Sequence, residues 1–154
     1  MPITPFHFGP GVAIKALIPR HFSLTAFCLA QVVTDVEVVY YILSGASPIH
    51  RFFHTYLGAT AVGCCCGLMG QPVRRLALRL WHETFYSRVK NPLVFPERIS
   101  TLSAFAGAFL GTYSHVLLDS IYGLSYSVLH LLCVILGLIG LWFYRSRTTF
   151  GEGA

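Results

Sequence analysis

The sequence predicts an all-α polytopic membrane bundle: about four transmembrane helices, a short N-terminal helix and a basic amphipathic helix, in one domain over residues 1–154. Three observations carry this expectation. Hydrophobic residues make up 55% of the chain and charged residues 11%, and the mean hydropathy is +0.64, outside the range of soluble domains. Four apolar runs approach or reach the roughly 20 residues needed to cross a hydrocarbon core. The basic residues flank those runs instead of forming one stripe among aromatics. The net charge of +5 therefore speaks for orientation in a membrane and against nucleic acid.

The first twenty residues are broken by Pro2, Pro5, Gly9, Pro10, Gly11 and Pro19. Between the breakers, Val12 to Ile18 can form only a short helix that lies at the interface or folds back into the bundle. The start of the chain lacks the basic region and small-residue cleavage site of a secretory signal. The first span covers about 22–43, apolar except for Gln31, Thr34, Asp35 and Glu37, and is closed by Ser44-Gly-Ala-Ser-Pro48. The second covers about 52–69, ends at Gly70-Gln-Pro72, and carries Gly63 and Gly67, a GxxxG surface for a neighbouring helix.

Residues 73–99 change character. Arg74, Arg75, Arg79, Arg88, Lys90 and Arg98 alternate with leucines, Trp81, Phe85 and Tyr86, which predicts a basic surface helix suited to anionic lipid, followed by a loop with Pro92 and Pro96. The third span, about 100–122, holds a second GxxxG at Gly107 and Gly111. The fourth, about 125–144, is the most apolar and stops at Arg145 and Arg147. Four spans put both termini on one side. With that side cytoplasmic, every lysine and arginine except Arg51 lies inside, as the positive-inside rule expects.

The five cysteines, Cys28, Cys64, Cys65, Cys66 and Cys133, sit in apolar segments without CxxC spacing. They read as small helix residues, not as disulfides or a zinc–thiolate site. No Ser/His/Asp triad, phosphate-binding loop or dinucleotide fingerprint is present.

Ionisable residues inside a membrane span are costly and seldom idle. Half of the six acidic residues fall inside spans: Asp35, Glu37 and Asp119. His115 and Asp119 stand four apart, so they share one helical face. By depth, Asp35, Glu37, His54, His115 and Asp119 gather in the outer half of the bundle. His50 and His54 share a face if the second helix begins early enough. Asp35 and Glu37 point roughly 200° apart on a helix, so one is expected to face the site and the other to pair with Arg51. His130 reads as a packing or interfacial residue, and His21 and His82 as solvated.

Two carboxylates and two imidazoles suit a divalent metal, Zn²⁺ or Mn²⁺. A carboxylate not used for ligation, from Asp35 or Glu37, can serve as general base toward a metal-activated water. Three other readings use the same residues: hydrogen-bonded helix contacts, a small transporter or ion relay, and a scaffold that binds partners through its glycine faces and basic segment. A homo-oligomer is compatible with each.

The ordered blocks Thr4-Pro-Phe-His7, Thr34-Asp35-Val-Glu37, His50-Arg-Phe-Phe-His54 and Ser114-His115-Val-Leu-Leu-Asp119 resemble the membrane-bound metal-dependent hydrolases. That family includes LexA-regulated inner-membrane proteins, and its ligand pattern is similar to that of zinc-dependent phospholipases C. The resemblance covers about residues 1–123. It implies a bacterial inner-membrane enzyme that cleaves an ester or phosphoester, with a lipid as a candidate substrate. It further implies a main metal held by Asp35, His54, His115 and Asp119, and a second ion shared by His7 and Asp119. His7 joins the site only if residues 5–18 re-enter the bundle. The chain departs from the family in having Thr34 where members have proline, and in the spacing around His50, whose role the resemblance leaves open.

Overall fold

A computed structural model describes residues 7–81, 99–120 and 126–150, and the side chains of most of these. Five helices follow in order, with no strand among the described residues: α1 (Phe8–Leu17), α2 (Leu24–Leu43), α3 (Tyr56–Trp81), α4 (Thr101–Ser120) and α5 (Tyr126–Phe150).

Local chemistry sets most of the boundaries. The Ser23 hydroxyl accepts from Ala26 N at 3.2 Å and caps α2, Thr55 does the same for α3 through Gly58 N at 3.0 Å, and Ser100 for α4 through Ser103 N at 3.1 Å. Each cap satisfies an amide that the first helical turn leaves open. At the far end of α2, Gly45 adopts φ +66°, the left-handed conformation that ends helices at glycine.

Four boundaries, on three helices, differ from the sequence expectation. Helix α1 begins at Phe8, not Val12, because Pro10 falls in the first turn, where its missing N–H costs nothing. Helix α3 begins at Tyr56 instead of Phe52 and runs through Pro72 to Trp81. Interhelical bonds hold it on both sides of the proline: Ile99 N donates to Gln71 Oε1 at 3.1 Å, and Arg74 Nη1 to Thr25 Oγ1 at 3.1 Å. Residues 73–81 are thus the last turns of α3, and the rest of the expected basic surface helix, 82–98, lies outside the described residues. Helix α5 continues past Arg145 to Phe150.

Helix α4 packs between α2 and α3, while α5 lies along α1. Both glycine pairs serve these contacts. A Cβ at Gly107 would come within 2.2 Å of Ser23 O, and one at Gly111 within 2.7 Å of Phe27 O, so α2 and α4 meet backbone to backbone. Gly63 and Gly67 face the rings of Phe109 and Phe105. The shared core is built of Ala26, Ala30, Val62, Cys66, Ala104 and Ala108, whereas Leu43, Leu57, Leu102 and Trp142 point outward. Small residues inside and large apolar ones outside is the pattern of helices packed in lipid. Helices α2 and α4 are each long and apolar enough to cross a membrane.

Candidate metal centre

Four elements converge at one level of the bundle. Helix α2 brings Gln31, Asp35 and Glu37; the connection between α2 and α3 brings His50 and His54; α4 brings Ser114, His115 and Asp119. Helix α1 begins in the same place, with His7 only 3% exposed, because α1 runs back along the bundle instead of lying on its surface. The Lys15 ammonium, held to Pro19 O and to Phe22 O at 2.9 Å, ties the other end of α1 to the start of α2. Burial, and then the nearby Arg74 charge, lower the Lys15 pKa.

The Asp119 carboxylate is the hub. His115 Nε2 lies 3.4 Å, His54 Nε2 3.5 Å and His50 Nε2 3.7 Å from its Oδ2, and His7 Nε2 lies 4.0 Å from its Oδ1. Asp35 Oδ1 approaches His115 Nε2 from the other side at 3.2 Å. The ligand-type atoms fall into three overlapping triplets, each within 4.8 Å: His7, His115 and Asp119; Asp35, His54 and His115; His50, His54 and Asp119. Ligand atoms bound to tetrahedral zinc at 2.0–2.1 Å lie about 3.3 Å apart. The contacts of His115 with Asp35 and Asp119, and of His54 with Asp119, have that spacing.

Each central imidazole is held from behind. Gln31 Oε1 lies 2.5 Å from His115 Nδ1, while the Gln31 amide donates to His7 O at 3.3 Å and to Ser114 Oγ at 3.4 Å. Because both amide hydrogens are directed elsewhere, Gln31 meets His115 as an acceptor, and His115 Nδ1 carries the proton. Glu37 Oε2 lies 3.3 Å from His54 Nδ1 and, as a carboxylate, accepts there too. In the neutral rings this leaves both Nε2 atoms as bare lone pairs close beside carboxylate oxygens.

Neither Nε2 makes a hydrogen bond although both are buried: the neighbouring oxygens do not lie along the line of an N–H. Three carboxylates (Asp35, Glu37 and Asp119) share the site, and among the described residues their ion-pair partners are all histidines. A pocket of acceptors facing one another, with no lysine or arginine paired to them among the described residues, is relieved by a cation. The residues fit a divalent metal.

Glu37 does more than touch His54. Its Oε1 accepts from Phe52 N at 2.8 Å, and its Oε2 from Phe53 N at 2.9 Å and Arg51 N at 3.3 Å. Three successive amides wrap one carboxylate, an anion-binding nest. The expected salt bridge between Glu37 and the Arg51 side chain is not formed; Arg51 meets Glu37 through its main-chain N–H alone. The guanidinium turns away, over the Tyr41 ring and onto Pro48 O. The rotation between Asp35 and Glu37 does separate them, yet both serve the site, one facing inward and one gathering the loop.

His50 and His54 come together in that loop, ahead of α3, with ring centroids 4.5 Å apart. His50 is the more open, its side chain 27% exposed. Its pKa is lowered by burial first and by the neighbouring His54 as well. The expected set of His7, Asp35, His54, His115 and Asp119 is assembled, and His50 stands with it. Gln31 was not singled out as a site residue in the sequence. The available signal was its position one turn before Asp35 on the same face of α2. The side chain of His130 lies outside the described residues.

No protein-family model matches the chain, and no curated protein or solved structure shows significant similarity to it.

Proposed function

We propose that the protein is a membrane-embedded, metal-dependent hydrolase acting on an ester or phosphoester of a lipid-like molecule. The observation that carries the metal reading is the placing of His115 Nε2 at 3.2 Å from Asp35 and 3.4 Å from Asp119, and of His54 Nε2 at 3.5 Å from Asp119, with both nitrogens buried and without hydrogen bonds. Asp35, His54, His115 and Asp119 would hold the ion, zinc or manganese, and Asp119 Oδ1 with His7 would hold a second. The bound metal supplies Lewis-acid polarisation and a lower pKa for water. Hydrolysis as the reaction rests on the resemblance to the membrane hydrolases described above.

The chain's own residues divide the remaining work. Asp35 also lines an open groove with Val32, Val36, Val39, Tyr40 and Leu43 on the outer face of α2. A substrate whose apolar part lies along those side chains would therefore meet the Asp35 carboxylate, which serves as a base only where it is not used as a ligand. Glu37, expected from sequence as a second candidate base, is committed to three amides and His54 and serves instead to position them. In this reading α3 and α5 cross the membrane beside α2 and α4, both termini are cytoplasmic, and the basic end of α3 meets anionic lipid.

Metal analysis of detergent-purified protein, prepared without chelator, tests the reading together with hydrolysis of chromogenic esters and phosphoesters. Stoichiometric metal and chelator-sensitive turnover are expected; a wild type free of metal sinks it. The same contacts also form a chain of titratable groups from half-open His50 through Asp119 and His115 to Asp35. That arrangement supports a second reading, a proton relay. Proton flux in liposomes without any ester hydrolysis would select it.

A further inference from the structure

The functional reading above leaves open why two imidazoles on different elements present the same nitrogen to one point. Helix α2 provides the answer in both cases. Gln31 and Glu37, at positions −4 and +2 from Asp35, leave the helix about 120° apart. One meets His115 Nδ1 and the other His54 Nδ1. Neither contact depends on an ion. Both hold whether the ring is neutral and binds through Nε2 or carries a second proton there.

We infer that Gln31 and Glu37 are positioning residues that keep the Nδ1 proton on His115 and His54, so that a metal is met by Nε2 of both rings. The inference rests on the metal reading for its consequence, though not for the protonation pattern itself. Gln31 is the more telling of the two, because its three contacts fix which end of the amide faces His115. The amide nitrogen is spent on His7 O and Ser114 Oγ, so an exchanged amide would place two donors against an Nδ1–H and lose both other bonds. The same side chain therefore also fixes where α1 starts, through the His7 carbonyl.

Glu37 differs in that its charge faces three main-chain N–H groups as well as the ring. It makes His54 the ligand backed by a carboxylate, and Gln31 makes His115 the ligand backed by a neutral amide. Histidine ligands whose second nitrogen loses such a partner typically bind metal about 10- to 100-fold more weakly.

The test uses full-length ¹⁵N-labelled protein in detergent, with ring signals assigned by single His→Asn variants. Long-range ¹H–¹⁵N spectra distinguish protonated from bare ring nitrogens. Nδ1 of His54 and His115 is expected to be protonated with and without Zn²⁺; a bare Nδ1 on either ring overturns the inference. Gln31→Leu should lose the fixed Nδ1 proton on His115 and weaken Co²⁺ binding about 10- to 100-fold, with the Co²⁺ absorption band displaced. Gln31→Glu, which restores an acceptor, should keep the Nδ1 proton and recover most of the affinity. Equal Co²⁺ affinity and an unchanged ring pattern in Gln31→Leu would refute it. Should Gln31→Leu not fold, the wild-type pattern and Gln31→Glu decide alone. A wild type that binds no metal yet shows both Nδ1 protons would remove the hydrolase reading and leave the positioning role standing.

Discussion

Replacing Gly107 by alanine should damage a centre that the residue never touches. A Cβ there would sit 2.2 Å from Ser23 O and 3.3 Å from Phe27 N. Both are main-chain atoms at the start of α2, so no rotamer change relieves the overlap. Carbon–oxygen contacts begin at about 3.3 Å, so α2 and α4 must part by about 1 Å. Gly107 lies two turns before His115 on the same helix, and the displacement carries along the pair. The 2.5 Å contact between Gln31 Oε1 and His115 Nδ1 would stretch beyond hydrogen-bond length, and the 3.2 Å contact between Asp35 and His115 would exceed the spacing of two ligands on one ion. Overpacking of this kind costs about 1–3 kcal/mol of stability, and misplaced ligands should lower metal affinity at least 10-fold. Gly137→Ala is the matched control, because its Cβ would meet only Gly9 Cα at 3.4 Å, an ordinary contact. Both variants would be purified in detergent and titrated with Zn²⁺ against a chromogenic chelator, with thermal unfolding measured alongside. If Gly107→Ala binds metal as tightly as wild type, the coupling of the glycine seam to the centre is wrong.

Other perturbations follow from the same geometry. His115→Ala and Asp119→Ala should each abolish stoichiometric metal on elemental analysis, and full retention in both would remove these residues from the ligand set. Glu37→Ala removes the acceptor of three amides, of which only that of Phe53 is part-buried, so each lost bond costs about 1 kcal/mol. The loop should loosen, and trypsin should cut after Arg51 faster than in wild type; an unchanged rate would show that Glu37 does not hold it. A Ser47→Cys variant in a cysteine-free background should react with a membrane-impermeant thiol reagent in intact cells, since the connection after α2 faces outward in the proposed topology. Protection until the cells are lysed would reverse that orientation.

The helical class, the two apolar spans α2 and α4, and both glycine seams were legible because each rests on a local or periodic pattern. Gly107 and Gly111 face α2, and Gly63 and Gly67 face α4, as their four-residue spacing indicates. The course of α3 through Pro72 was not legible, since the bonds that sustain it, from Ile99 and to Thr25, come from segments distant in sequence. His7 came only from the family resemblance, whereas Asp35, His54, His115 and Asp119 could be chosen by type and depth. Their orientation could not, because it depends on the side chains behind them. Glu37 looked like a spare acid, and its commitment to the amides of residues 51–53 appears only when the loop is folded over it. Gln31, an uncharged residue in a span, gave no chemical signal strong enough to separate it from ordinary helix packing. His50 and His54 were read as neighbours on a helix; they are neighbours in a loop, brought together by Glu37 and not by helical spacing.

All five cysteines are free thiols, so no disulfide joins the helices. The cluster around Asp119 occupies the place where such a staple would act. An ion bound there would connect α2 to the loop before α3 and that loop to α4, closing one short ring of chain and another of roughly 60 residues. A covalent link closing a ring of that size contributes on the order of 4 kcal/mol by restricting the unfolded chain. The centre would then be part of the protein's architecture: stripped of its ion, the bundle should melt at a lower temperature before any question of turnover arises.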